Sequence, residues 1–184
     1  VMEVDERGSV IGYDIFESVI KSRMQMTYNK VNDYLERGIV DPKYKDFTNE
    51  LSLMKELSDL VRKNKINRGF IDFDTDEIKI KVDKKGVPVE ILKRERGTGE
   101  RLIEDFMILA NESVASQLFY MDLPAVYRVH GDPSEKRLRS FVNVLNTLGI
   151  KINDNLSKIT PKTIQRIINR LKNYPQFKVL SVMM

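Results

Sequence analysis

TGERLIEDFMILANESVASQLF, Thr98 to Phe119, is the longest strongly periodic run in the chain, and it sets what the rest must supply. Leu102, Ile103, Phe106, Met107, Ala110, Val114 and Leu118 recur at three- and four-residue steps, so they line one face of an α-helix. Thr98 is placed to cap that helix, and Glu100 lies in its first turn, where negative charge suits the helix dipole. A face this wide requires a sheet or other helices to cover it. Glu104 and Asn111 are about two turns apart and flank Ile108, so they share a face that is not purely solvated. Two readings of Glu104 stand at this point: one more surface carboxylate, or a group that looks onto a ligand.

The chain has 184 residues, enough for one domain or for a piece of a larger one. Hydrophobic residues are 41% and charged residues 32%, an ordinary soluble globular balance, and the net charge of +4 permits a polyanionic partner without demanding one. Cysteine is absent, which excludes disulfides, thiolate catalysis and Cys-based zinc sites and favours an intracellular, here cytoplasmic, setting. The one histidine, His130, excludes a multi-His metal site; between a strand end and a helix cap it reads as a loop anchor rather than a catalyst. No apolar run is long enough to span a bilayer and no signal-peptide pattern is present, so no membrane partner is expected.

Outward from the central run, the chain alternates between β and α signals. Val1–Val4, a turn at Asp5-Glu6-Arg7-Gly8, and a longer apolar stretch from Val10 to Ile20 predict a hairpin. Thr27 opens a helix from Tyr28 to about Glu36 that ends at Gly38, and Asp41-Pro42 marks a loop. A second helix from about Phe47 to Asn64 carries the stripe Phe47, Leu51, Met54, Leu57 and Val61, and its basic outer side and end, Lys55, Arg62, Lys63 and Lys65, read as solvated surface rather than an RNA patch. Ile78, Ile80 and Val82 alternate with Lys79 and Lys81 and predict a half-buried strand, turned at Lys84-Lys85-Gly86 into a partner from Val87 to Leu92. Lys93, Arg94 and Arg96 lead into the central run as a phosphate contact or, by default, a solvated loop. Pro124–Val129 reads as a short buried strand. Asp132 and Pro133 open a helix that stops at Gly149, and Thr160-Pro161 opens another that ends by Tyr174-Pro175. The result is an α+β chain, with antiparallel β pieces packed with several helices around one long central helix. The start inside a strand and the apolar end VLSVMM predict a cut from a longer protein, with open apolar surface at Val179–Met184 and on the opening hairpin and a tendency to self-associate.

No Gly-rich phosphate loop, HExxH, GxSxG or Asp-rich metal loop is present, so single motifs name no activity. The blocks SVIKSRMQMTYNKVNDYLERG, RGFIDFDTDEIKI, RLIEDFMILANESVASQL and PAVYRVHGDPSEKRL with FVNVLNTLGI, in this order and spacing, resemble the catalytic domain of the ribonuclease II / ribonuclease R (RNB-type) family over essentially the whole chain. The resemblance implies a central fragment, residues 1–184 forming a single partial RNB-type catalytic domain. It implies a processive 3′→5′ hydrolytic exoribonuclease that degrades single-stranded RNA to nucleotide monophosphates with magnesium. The family's aspartate cluster, its downstream arginine block, and its cold-shock and S1 modules match nothing in residues 1–184. The fragment alone is therefore expected to hold no metal, to supply no catalytic residue and to be inactive. Three positions carry over: Tyr28 in MTYNKV and Glu104 in LIEDFMILAN match the pair that reads the terminal ribose 2′-hydroxyl, and Phe73 in FIDFD matches the ring that stacks on a base near the 3′ end. From the residues alone, Tyr28 bracing its helix and Phe73 filling a core stay open. The alternatives to a nuclease fragment are a non-catalytic RNA-binding relative and a structural or regulatory domain.

Overall fold

The periodic run folds as one unbroken helix, α3 (Thr98–Tyr120). The computed structural model describes residues 1–71, 77–94, 96–129, 131, 134–150, 160–175, 177 and 180. The expectations on Phe73, His130, Asp132, Pro133, Val179 and 181–184 lie outside the described residues. Among the described residues the chain is mixed α and β, with five α-helices, a short 3-10 helix and two two-stranded antiparallel sheets. Two compact units form, Val1–Asn64 with Phe73–Ala125 and Lys65–Asp72 with Val126–Met184.

In the first unit, β1 (Met2–Val4) pairs antiparallel with β2 (Val10–Tyr13). Asp5 closes the turn by accepting from the backbone N–H groups of Arg7 and Ser9 at 2.9 and 2.8 Å. Gly8 takes φ +76 there, and a Cβ on it would lie 2.4 Å from the Leu60 carbonyl oxygen, so this turn seats on helix backbone. The long second strand expected to Ile20 is not formed. Residues 14–27 are irregular, and Ile15, Phe16, Val19 and Ile20 are exposed. β1 offers three residues of backbone, and a strand cannot outrun its pairing partner.

α1 (Tyr28–Arg37) ends as predicted at Gly38, whose φ of +72 lets the amides of Gly38 and Ile39 return to the Tyr34 and Asp33 carbonyls. The expected loop at Asp41-Pro42 is instead the start of the 3-10 helix Pro42–Phe47, capped by the Asp41 carboxylate accepting from the Lys43 N–H. That carboxyl is held below its ordinary value, first by the hydrogen bond from Lys30. The 3-10 helix turns Tyr44 inward, where it packs with Val31 and Leu51 as a small core, and its hydroxyl accepts from the Thr27 N–H at 3.0 Å.

α2 (Thr48–Arg68) buries Leu51 and Val61 from the predicted stripe. Its basic side is not uniformly solvated. Arg62 reaches a buried carboxylate, and Lys65 is 5% exposed with its ammonium 4.0 Å from the Phe70 ring centroid. α3 keeps only part of the expected line inward. Leu102 is buried as expected, but Ile103, Met107 and Val114 are exposed, and Asp105, Leu109 and Ser113 are buried instead. A carboxylate sits on the buried line because Asp105, fully buried, accepts from Ser58 Oγ at 3.1 Å and from Arg62 at 3.3 Å.

β3 (Glu77–Val82) and β4 (Pro88–Arg94) form the predicted hairpin, turned through Gly86 at φ +80 with Asp83 accepting from the Lys85 and Val87 amides. Its half-buried face is not found: Ile78, Ile80, Val82 and Ile91 are all more than half exposed. Pro124–Val129 forms no strand either, and Val126 and Val129 are exposed.

The second unit is built on α4 (Glu135–Thr147) and α5 (Pro161–Leu171). Ser134 caps α4 by accepting from the Arg137 N–H. Thr160 caps α5 as predicted, and Gly149 follows α4 at φ +76. Phe141, Leu145, Ile150, Ile167, Leu171 and Leu180 make its core. Leu180 is 1% exposed, so at this position the chain end is not the open apolar surface expected. Gln165 donates its amide to the Ile66 and Phe70 carbonyls, tying the last turn of α2 and the segment after it to α5.

Candidate nucleic-acid interface

Tyr28 is the first residue of α1, and Asn32 and Glu36 follow it at one-turn steps on the same face. This face meets the N-terminus of α3. The Glu36 carboxylate accepts from the Thr98 N–H at 2.7 Å and from the Thr98 hydroxyl at 2.8 Å. These two donors, the backbone one first, hold the Glu36 carboxyl below its ordinary value. Asn32 Oδ1 accepts from the Gly99 N–H at 2.6 Å, and its Nδ2 donates to Glu100 Oε2 at 2.9 Å. Glu100 Oε2 also accepts from the Gly97 N–H at 3.1 Å. The N-cap residue is therefore Gly97, not Thr98, and a residue without a side chain leaves the first α3 amides to carboxylates and an amide from α1 and α3.

One turn further along α3 stands Glu104. Tyr28 and Glu104 line the same open cleft of about 310 Å³, together with Arg96, Ile103, Met107 and Asn111. The shared face of Glu104, Ile108 and Asn111 read from the sequence is this wall. Arg96 is not a solvated loop residue: its Nη1 lies 3.1 Å from Glu104 Oε2, with both side chains about one-third exposed. Among the described residues, neither the Tyr28 hydroxyl nor Glu104 Oε1 makes a hydrogen bond. Tyr28 and Ile103 also line a second, apolar cavity of about 350 Å³, with Val31, Leu51, Met54 and Leu102. The cleft thus offers a donor–acceptor phenol, a carboxylate acceptor, a guanidinium and apolar surface from Ile103 and Met107.

All 184 residues match the family model described as RNB domain. The chain belongs to the RNB domain family. Ribonuclease R 1 of Lactococcus lactis subsp. lactis is 39% identical over 187 residues, covering 100% of this chain and 23% of the relative. Ribonuclease R of Thermotoga maritima is 38% identical over 95% of this chain and 24% of its own length. This RNB chain therefore spans about a quarter of the length of the curated relatives it matches. The apo form of Mycoplasma genitalium RNase R superposes with a TM-score of 0.90 at 28% identity, covering 99% of this chain and 28% of that one. A second structure of that protein, in complex with ribose methylated single-stranded RNA, matches equally well. The mixed α and β fold is thus an RNB fold.

Sequence reasoning missed Asn32, and it read Arg96 as loop and Glu100 as a dipole partner only. Arg96 gave no signal of its pairing, since it lies before the helix and eight residues from Glu104, outside the three- and four-residue spacings at which helix side chains pair. Among the described residues no group of three or more His, Cys, Asp or Glu side chains is placed to hold a metal ion, and no helix is long and apolar enough to cross a membrane.

Proposed function

We propose that this chain is the part of a processive 3′→5′ exoribonuclease that grips the terminal nucleotide of single-stranded RNA. The observation that carries the reading is Tyr28 and Glu104, distant in sequence, lining one cleft, with the phenol hydroxyl and one Glu104 carboxylate oxygen making no hydrogen bond among the described residues. The ribose 2′-hydroxyl would donate to the Glu104 carboxylate and accept from the Tyr28 phenol, an arrangement DNA cannot satisfy. Arg96 neutralises the carboxylate, which otherwise would face the phosphates of a polyanion. Phe73 would stack on a neighbouring base; its ring suits a reader that tolerates every sequence. The RNB family, the ribonuclease R names of the relatives, and an RNA complex of a similar protein all support an exoribonuclease as the parent.

The magnesium that the resemblance implies does not fit the described residues, which bring no three ligating side chains together. No metal-dependent step is assigned to them, and we expect the isolated chain not to shorten a labelled RNA. Release of nucleotide monophosphates and a cytoplasmic location go with the same reading; the absence of cysteine suits that compartment. Self-association through the exposed apolar residues Ile15, Phe16, Val19 and Ile20 is a further expectation, checked by light scattering.

The test is cleavage of matched RNA and DNA oligonucleotides by the full-length enzyme and by Tyr28→Ala with Glu104→Ala. A lost hydrogen bond to a charged group costs about 1.5–3 kcal/mol, so the RNA-to-DNA rate ratio should fall by about tenfold or more. An unchanged ratio refutes the assignment. RNA binding without turnover by the full-length protein would favour a non-catalytic relative instead.

A further inference from the structure

We infer that Asn32 is the positioning residue of the 2′-hydroxyl reader, setting the separation of Tyr28 and Glu104 without touching RNA. The inference rests on the reading of Tyr28 and Glu104 proposed above.

α1 packs against the start of α3. Glu36 accepts from Thr98, and one turn back along α1 Asn32 bonds Gly99 and Glu100. A further turn back, Tyr28 lines the cleft that Glu104 also lines. The Glu36 and Asn32 contacts are closed by short hydrogen bonds, whereas the Tyr28 hydroxyl and Glu104 Oε1 make none among the described residues. The Asn32 contact, the one nearer Tyr28, therefore sets how far Tyr28 stands from Glu104. Asn32 stands one turn from Tyr28 on α1, and Glu100 one turn from Glu104 on α3, so a shift at the Asn32–Glu100 contact is passed on through two stiff helix turns.

The contact demands an amide. Asn32 must accept from the Gly99 N–H and donate to the Glu100 carboxylate at once, which neither an aspartate nor an aliphatic side chain does. The backbone has also been cleared for it. A Cβ on Gly97 would stand 2.3 Å from Asn32 Nδ2, and one on Gly99 would stand 3.0 Å from Asn32 Oδ1 and 3.5 Å from Tyr28 Cδ1. Gly97, at the N-cap, is a residue type that position accepts, whereas Gly99 lies inside the helix and gives up helix propensity there. Here they bring α3 against Asn32 and the edge of the Tyr28 ring.

The experiment uses the full-length enzyme and RNA oligonucleotides that differ only in a 2′-hydroxyl or 2′-hydrogen on the terminal nucleotide. Asn32→Leu should lower the hydroxyl-to-hydrogen ratio of kcat/KM by about tenfold, the value of one lost hydrogen bond of charge-assisted strength. A merely structural role would lower both rates together and leave the ratio alone. Asn32→Asp combined with Glu100→Gln inverts the donor and acceptor while keeping the net charge, and should restore the ratio. If Asn32→Leu loses its folded circular dichroism signal, Asn32→Asp alone, which keeps the acceptor toward Gly99, carries the same expectation. An unchanged ratio in the Asn32 variants, or no recovery in the inverted pair, overturns the inference while a response of Tyr28→Ala with Glu104→Ala keeps the proposed function. If that control pair does not respond either, the proposed function fails and the inference falls with it.

Discussion

Replacing Asp105 by alanine should be among the most damaging single changes in the first unit. The carboxylate is fully buried and accepts from Ser58 Oγ at 3.1 Å and Arg62 Nη1 at 3.3 Å. Removing it takes a buried charge partner from the Arg62 guanidinium and a hydrogen-bond acceptor from a buried hydroxyl; breaking a buried pair from one side costs about 3–5 kcal/mol. The Arg62 side chain keeps 19% exposure, so some water returns to it and the lower end applies, about 3 kcal/mol. With a urea slope of about 2 kcal/mol/M, the unfolding midpoint should drop by roughly 1.5 M. Far-UV circular dichroism during urea titration reads this. Ser58→Ala should cost only about 1 kcal/mol, since one neutral hydroxyl is lost. Asp105→Leu combined with Arg62→Leu should recover most of the loss, because a buried pair exchanged for packed apolar groups is often neutral. If Asp105→Ala leaves the midpoint unmoved, or the double change is worse than the single one, the buried pair is not what holds α2 to α3.

Gly8→Ala combines a left-handed φ of +76 with a Cβ 2.4 Å from the Leu60 carbonyl oxygen, and should destabilise by at least about 2 kcal/mol, read as a lower thermal midpoint. Glu36 is held below its ordinary value by Thr98, so the contribution of this clasp is full above the unfolded glutamate value and is lost as pH falls through the lower folded one. An NMR titration of the Thr98 amide should follow that step and lose it in Glu36→Gln; an amide indifferent to pH would rule the clasp out. Leu145→Ala, at 0% exposure in the core of the second unit, should cost about 2–5 kcal/mol, measured by denaturant unfolding.

The helices were legible in the sequence because their signals are local. α3 was bounded by its own periodicity, and Gly38 and Thr160 marked their helix ends through backbone needs that a single residue meets. What failed depended on partners that the local sequence does not name. Val10–Ile20 and Pro124–Val129 are apolar enough for strands, yet a strand exists only where another backbone lies beside it. The start of α3 was misassigned to Thr98 because the groups that satisfy it, Asn32 and Glu36, come from a helix far back in the chain. The inward line of α3 was misjudged because periodicity counts apolar residues, whereas Asp105 is buried for its charge partners. Tyr28 and Glu104 could not be joined by spacing; the family resemblance paired them, and the cleft brings them together.

The Tyr44 hydroxyl under the first turn of α1 has a practical side for insertion scanning. The chain leaves α1 at Arg37 and comes back to its starting end at Tyr44, with Lys30 and Asp41 joined at 2.7 Å on the way. That return path is a closed circuit of fixed length, and one residue added at 39–40 would lever Tyr44 away from the Thr27 amide and tilt the neighbouring Tyr28. The turn at Lys84–Gly86 closes no such circuit: it is exposed, and a Cβ on Gly86 meets nothing within 4 Å. A fluorophore or short epitope belongs there, where its host hairpin can lengthen while the return path from Arg37 to Tyr44 keeps its span.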